Sequence, residues 1–225
     1  DRISEGKAEL VLITGDAGIG KTALVGEVQK PLVREKGYFI SGKFDQLQRH
    51  VPYAPIIHAF KDLIRQLLTE GEPRIAVWKR EILSAITPNG KVITDVLPEL
   101  EWLIGKQPDV EPLSAVEAQN RFQLVFQQLT RVFMKRSHPL VLFLDDLQWA
   151  DHASLSLLQY ILTDAKSNCL LVLLAYRPNE IGLAHPFTHT VDKIKQAGVR
   201  VSNVALSPLN EREIEQWTAD TLHVD

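Results

Sequence analysis

The sequence predicts an α/β fold, a three-layer α/β/α sandwich around a mainly parallel sheet of five strands. Three observations carry that expectation. Short runs rich in Leu, Val and Ile lie near Leu10 to Thr14, Tyr38 to Lys43, Leu140 to Asp145, Leu170 to Tyr176 and Val199 to Ala205. The third and fourth lack polar alternation, the pattern of strands buried on both faces. Stretches with apolar residues at helical spacing separate the runs, and alternating β and α units give a parallel sheet with helices on both faces. A glycine-rich loop follows the first run directly, where a strand hands over to a helix.

That loop, Gly15, Asp16, Ala17, Gly18, Ile19, Gly20, Lys21 and Thr22, satisfies G-x-x-x-x-G-K-[ST], the Walker A pattern of a P-loop NTPase. The glycines let the backbone wrap a polyphosphate with its N–H groups inward. Lys21 reaches the β- and γ-phosphates, and the Thr22 hydroxyl ligates Mg²⁺. Ala23 completes the expected nucleotide-binding set, on a helix that starts near Lys21 and carries Leu24, Val25, Val28 and Leu32 at helical spacing.

After the second strand the chain departs from a minimal βαβ repeat. Ala59, Phe60, Leu63, Ile64, Leu67 and Leu68 mark one amphipathic helix, and Phe122, Val125, Phe126, Leu129, Val132 and Phe133 another. Pro88-Asn89-Gly90, Pro98, Pro108 and Pro112 punctuate the interval as short helices and loops. We expect a helical insertion at about 55–115 within a core of 1–206, acting as a buttress on the sheet rather than as a partner surface. Lys79, Arg80 and Glu81 beside Trp78 read as a solvated helix face.

The third strand, LVLFLDD, delivers two carboxylates at its carboxyl end, where open α/β sheets bind ligands. Asp145 is the expected Mg²⁺ ligand and Asp146 the group that polarises an attacking water. Alone, a strand ending in Asp-Asp would be an ordinary turn; paired with the P-loop it reads as a site. Asp151 precedes an apolar-periodic stretch from Leu155 to Leu162 and reads as an N-cap, and Trp149 as a packing anchor rather than an adenine platform. The fourth strand ends in Arg177, placed to sense a γ-phosphate by bidentate hydrogen bonds or, more plainly, to pair with a surface carboxylate. After the fifth strand, Glu211 to Leu222 has a helical pattern.

At 225 residues, 45% apolar and 24% charged, the chain can bury a sizeable core without disulfides or a structural metal. A net charge of −3 argues against broad electrostatic nucleic-acid binding. The single Cys169, at the start of an apolar strand, excludes an intramolecular disulfide and fits a reducing cytoplasm. No apolar run reaches membrane-spanning length. The chain begins without Met and reads as an excised part of something larger.

GDAGIGKT, LVLFLDDLQWAD, LLVLLAYRPNE and LSPLNEREIEQW, in this order and spacing, resemble the ATPase core of AAA-type signal-transduction NTPases with numerous domains. Such cores occur in large maltose-regulator-like transcriptional regulators, in some adenylyl cyclases and in hybrid proteins that join a serine/threonine kinase to a histidine kinase. KFDQLQ followed by PYAP looks most like the last group. The resemblance implies ATP rather than GTP, slow turnover that switches a long regulatory chain, and a helical lid of which 207–225 would be the start. It names other domains of the same polypeptide as partners and leaves a homo-oligomer open. No motif marks Arg121, Arg131 or Arg136 as an arginine finger.

Two other readings stay open. A nucleotide-binding scaffold without useful hydrolysis would suit the shorter carboxylate of Asp146, and a P-loop small-molecule phosphotransferase shares the glycine motif. His185 and His189 stand four apart, but Pro186 follows the first and no third zinc ligand is near in sequence. A G-x-S-x-G elbow and the protein-kinase catalytic motifs are absent from the sequence.

Overall fold

The computed structural model describes residues 7–34, 37–49, 51–182 and 184–222. Five parallel strands form the sheet: β1 (Glu9–Thr14), β2 (Tyr38–Lys43), β3 (Leu140–Asp145), β4 (Leu170–Tyr176) and β5 (Arg200–Ala205), in the spatial order β2-β3-β4-β1-β5. The expected strands match, with β5 beginning at Arg200 rather than Val199. β3 and β4 lie inside the sheet and are buried on both faces, which explains their unbroken apolar sequences.

Alternate residues divide between two cores. Leu10, Leu12, Leu140, Leu142, Leu144, Val172 and Leu174 join the larger one, against most of the helices. Ile13, Val141, Phe143, Leu171, Leu173 and Ala175 face the other way, where Val25 and Leu24 of α1 (Lys21–Arg34) cover them. The side chains of Val28 and Leu32 lie outside the described residues.

The large face is built by α2 (Ala54–Leu68), α3 (Glu72–Ile86), α4 (Gly90–Thr94), α5 (Leu100–Ile104), α6 (Ala115–Phe133), α7 (His152–Leu162) and α8 (Pro186–Gln196). α2 lies on β2 and β3 with Ile56, Ala59, Phe60, Leu63, Ile64 and Leu67 buried, and α3 packs on α6. Phe60 meets Phe126 edge to face at 4.8 Å, joining α2 to α6. α6 starts at a capping box in which Ser114 and Glu117 satisfy each other's backbone N–H groups.

α3 is longer than the punctuated interval suggested. Trp78, Ile82 and Ile86 form its buried stripe, with Pro73 in the first turn, so the prolines that follow delimit this helix rather than break it. Lys79 and Arg80 are exposed, whereas Glu81 pairs with Lys135 at 2.5 Å.

α9 (Glu211–Leu222) is opened by Asn210 and Glu213, each side chain accepting the other's backbone N–H. Residues 223–225 of the expected lid segment lie outside the described residues. Among the described residues no helix is long and apolar enough to cross a membrane.

Candidate functional site

Four strands deliver their carboxyl ends to one cleft. The P-loop leaves β1, Arg177 follows β4, Asp145 ends β3 with Asp146 directly after it, and Lys43 ends β2. β4 lies between the P-loop strand and the carboxylate strand, so Arg177 stands between the two halves of the site. A cavity of about 320 Å³ is lined by Ala17, Gly18, Gly20, Lys21, Thr22 and Ala23 together with Lys43, Asp145, Asp146 and Arg177.

The P-loop needs backbone that only glycine adopts cheaply: φ is 76° at Gly18 and 104° at Gly20. Lys21 is buried, and its ammonium donates to the carbonyl oxygens of Gly15 and Asp16, each at 2.8 Å. Thr22 Oγ1 donates to Asp145 Oδ2 at 3.4 Å, joining the loop to the carboxylate strand. Asp145 Oδ1 accepts from the Asp146 backbone N–H at 2.8 Å.

Asp146 turns the chain into a left-handed residue (φ 55°), which a short polar side chain tolerates. Its carboxylate is buried and well supplied with donors. Gln148 Nε2 reaches Oδ1 at 2.9 Å, Lys43 Nζ lies 3.1 Å from Oδ2, and Arg177 Nη2 stands 3.9 Å from Oδ1. Burial pushes this carboxyl upward, but the Lys43 and Gln148 hydrogen bonds and the Lys43 and Arg177 charges outweigh it and hold it below its ordinary value. The same pairing raises Lys43.

Arg177 makes the plainer of its two expected contacts, an ion pair with a surface carboxylate. Its nearer partner is Glu180, at 2.8 Å, and its other terminal nitrogen leans toward Asp146. Lys43 and Gln148 were missed by sequence reasoning. Lys43 could have been found by the logic applied to Arg177, since it is a basic residue ending a strand and lies in register with Asp145. Gln148, an amide in a turn, carries no such signal.

Other expected residues have structural roles. Asp151 caps α7 by accepting from the Ser154 N–H at 2.8 Å, and Trp149 packs partly buried against the larger core with the Arg49 guanidinium 4.4 Å over its ring. His185 caps α8, and no cluster of metal-binding side chains occurs among the described residues. Arg131 pairs with Asp164 at 2.6 Å, and Arg121 donates to the Glu111 carbonyl. Cys169 is buried.

A larger concavity, about 720 Å³, opens at the amino edge of the sheet beside Glu9, Asp164 and Arg200. Volume does not decide between the two. In the larger one Asp164 is bonded to Arg131 and Glu9 faces Arg200 at 3.8 Å. In the smaller one an ammonium, a hydroxyl and two carboxylates converge beside a glycine loop, a donor set suited to a polyphosphate and a hard divalent cation.

A family model described as AAA ATPase domain matches residues 1–173. The chain is 38% identical over 161 residues to Hybrid signal transduction histidine kinase G of Dictyostelium discoideum, covering 72% of this chain and 5% of that protein. It is 27% identical over 170 residues to Histidine protein kinase 1 of Candida albicans, covering 69% of this chain and 7% of that one. The chain thus spans a small fraction of these relatives' length. With a glycine loop and paired carboxylates at the carboxyl edge of a parallel sheet, and a family match across most of its length, the chain belongs to the AAA ATPase domain family.

Proposed function

We propose that this segment is a Mg²⁺-dependent ATP-binding module that hydrolyses ATP slowly and acts as a regulatory switch within a larger multidomain signalling protein. The observation that carries it is the Thr22–Asp145 contact, which joins the P-loop to the carboxylate strand although β4 runs between them. In this reading the residues from Gly15 to Ala23 hold the phosphates, Lys21 neutralises their charge, and Thr22 and Asp145 hold the cation, which when bound supplies Lewis-acid stabilisation of the phosphoryl oxygens. Asp146 orients the attacking water, and Arg177 senses the terminal phosphate. A carboxylate already bonded to Lys43 and Gln148 is a weak base, which supports low turnover.

The kinase relatives support a signalling context, with other domains of the same polypeptide as partners and any kinase chemistry elsewhere in the parent. A cytoplasmic setting suits the buried free thiol of Cys169. The Lys43–Asp146 pair also favours a second reading, a nucleotide-binding scaffold in which Asp146 stays engaged and hydrolysis is negligible.

Calorimetric titration of Mg-ATP and Mg-ADP into the 225-residue chain and its Lys21→Ala variant tests binding. Affinity should fall at least about a hundredfold in the variant, since it loses a charge-assisted contact to phosphate. Equal affinities would sink the nucleotide reading. Single-turnover release of phosphate then separates switch from scaffold.

A further inference from the structure

Gln148 follows the carboxylate strand, beside the strand that leads to Arg177, and is one of the donors that weaken Asp146 as a base. The residue is buried, at 2% exposure. The amide nitrogen donates to Asp146 Oδ1 at 2.9 Å, and the amide oxygen accepts from the backbone N–H of Arg177 at 3.4 Å. These partners determine which way the amide points. An ionised carboxylate only accepts and a peptide N–H only donates, so the reversed amide would lose both bonds. The backbone carbonyl of Gln148 accepts from Arg49 Nη2 at 2.8 Å, and Arg49 lies over Trp149. The short 3₁₀ turn that carries Gln148 is therefore held from both sides.

We propose that Gln148 is a positioning residue that sets the Asp146 carboxylate against the end of β4, so that Asp146 and Arg177 face the phosphate cavity as one unit. The proposal deepens the hydrolysing-switch reading and rests on it. Asp146 needs such a support because its left-handed backbone lies beyond the end of β3, where no ladder orients the side chain. Its other two contacts come from long chains. Lys43 has a side chain 68% exposed, and Arg177 makes its shorter bond to Glu180. Holding a long exposed chain in one geometry loses rotamer entropy, whereas a buried amide with both ends bonded has little freedom left to lose. Gln148 is thus the rigid member of the group.

The test uses two variants. Gln148→Met keeps the volume and removes both bonds. Gln148→Glu keeps the acceptor for the Arg177 N–H and removes the donor to Asp146. Single-turnover phosphate release at saturating Mg-ATP should fall at least about tenfold in both, as expected when a reacting group is misplaced. Mg-ADP affinity should stay within about twofold, because Lys21 and Thr22 are untouched. Gln148→Glu should regain part of its rate on acidification, since a protonated carboxyl again donates to Asp146. Unchanged rates, or losses of Mg-ADP affinity that parallel the losses of rate, would overturn the proposal. If the unsubstituted chain releases no phosphate, the hydrolytic reading fails, and Gln148 is judged by the ratio of ATP to ADP affinity. A shift of at least about threefold in Gln148→Met supports its role, and an unchanged ratio removes it.

Discussion

Lys43 Nζ and Asp146 Oδ2 meet at 3.1 Å across the carboxyl ends of the neighbouring strands β2 and β3. The β2–β3 ladder fixes that meeting: Lys43 lies opposite Asp145, and the Phe44 N–H continues the pairing to the Asp145 carbonyl at 3.0 Å. The carboxylate that follows Asp145 therefore has a cation beside it supplied by the fold itself.

Removing that cation should change chemistry more than stability. Only the Lys43 end of the pair is exposed, at 68%, and the buried Asp146 keeps Gln148 and Arg177 when Lys43 is removed, so the loss should be about 1 kcal/mol, the upper end for exposed pairs. Lys43→Met should lower Tm by no more than about 4 °C. Freed of its competing partner, Asp146 becomes a better acceptor, so single-turnover phosphate release at saturating Mg-ATP should rise several-fold. A fall instead would mean that Lys43 acts on the phosphate directly.

Gly42, one residue earlier, tests how that edge is held. A Cβ there would lie 2.2 Å from the Pro55 carbonyl oxygen and 3.1 Å from Leu144, because the start of α2 crosses directly over β2. Backbone cannot step aside as a side-chain tip can. Gly42→Ala should destabilise the fold by about 1–3 kcal/mol in urea unfolding, the range for overpacking. A loss below about 0.5 kcal/mol, the size of an ordinary surface substitution, would show that the crossing yields easily.

Asp146→Asn separates binding from hydrolysis. The amide oxygen still accepts from Gln148, so the turn should survive, and the phosphate-binding residues are unchanged. Mg-ATP affinity should stay within about threefold while phosphate release falls at least about a hundredfold, the usual share of a positioned base. Equal rates in the two proteins would remove the role given to Asp146.

Acid should weaken the fold in two stages through one cluster. His138 is buried between Tyr38 and Trp78, at ring distances of 5.6 and 5.0 Å. Burial depresses its pKa below the ordinary 6.5, so the unfolded chain takes up the proton first and stability declines as pH drops below about 6.5. Glu70 sits in the same cluster. Burial raises its carboxyl, but hydrogen bonds from Tyr38, Arg74 and Trp78 prevail and leave it below the ordinary 4.5. Its contribution is complete above about pH 4.5 and is lost as pH falls through the depressed folded value. Urea midpoints measured from pH 8 to 3 should show both stages, the upper one no steeper than about 1.4 kcal/mol per pH unit, the limit for a single group. His138→Gln should abolish the upper stage, whereas Glu70→Gln should shrink the lower one, which Glu99, Asp146 and Asp164 share because each is also held below its ordinary value, and a stage unchanged in its variant would contradict the assignment.

The parts of this protein legible in the sequence were those whose physics is local. The unbroken apolar runs of β3 and β4 announce central strands because every residue there is buried whichever face it takes. The P-loop is legible because left-handed turns at Gly18 and Gly20 followed by Lys21 leave a contiguous mark. Asp151 was readable as a cap because its partner, Ser154, is three residues away. α3 is faint in the sequence because its buried stripe of Trp78, Ile82 and Ile86 is sparse and prolines follow it closely.

Tertiary structure decided which distant groups meet. Nothing local tells Lys43 that it will end beside Asp146, or Gln148 that its amide will span from Asp146 to the backbone of Arg177. Those contacts depend on the strand order β2-β3-β4-β1-β5, and the order depends on how the helices cover the two faces of the sheet. Composition and periodicity determined the elements and the phosphate loop, because hydrophobic burial and backbone preference act within a few residues. The surroundings of the second carboxylate were left to the pairing of strands far apart in the chain, because hydrogen bonds and charges act only between groups that the fold has already brought together.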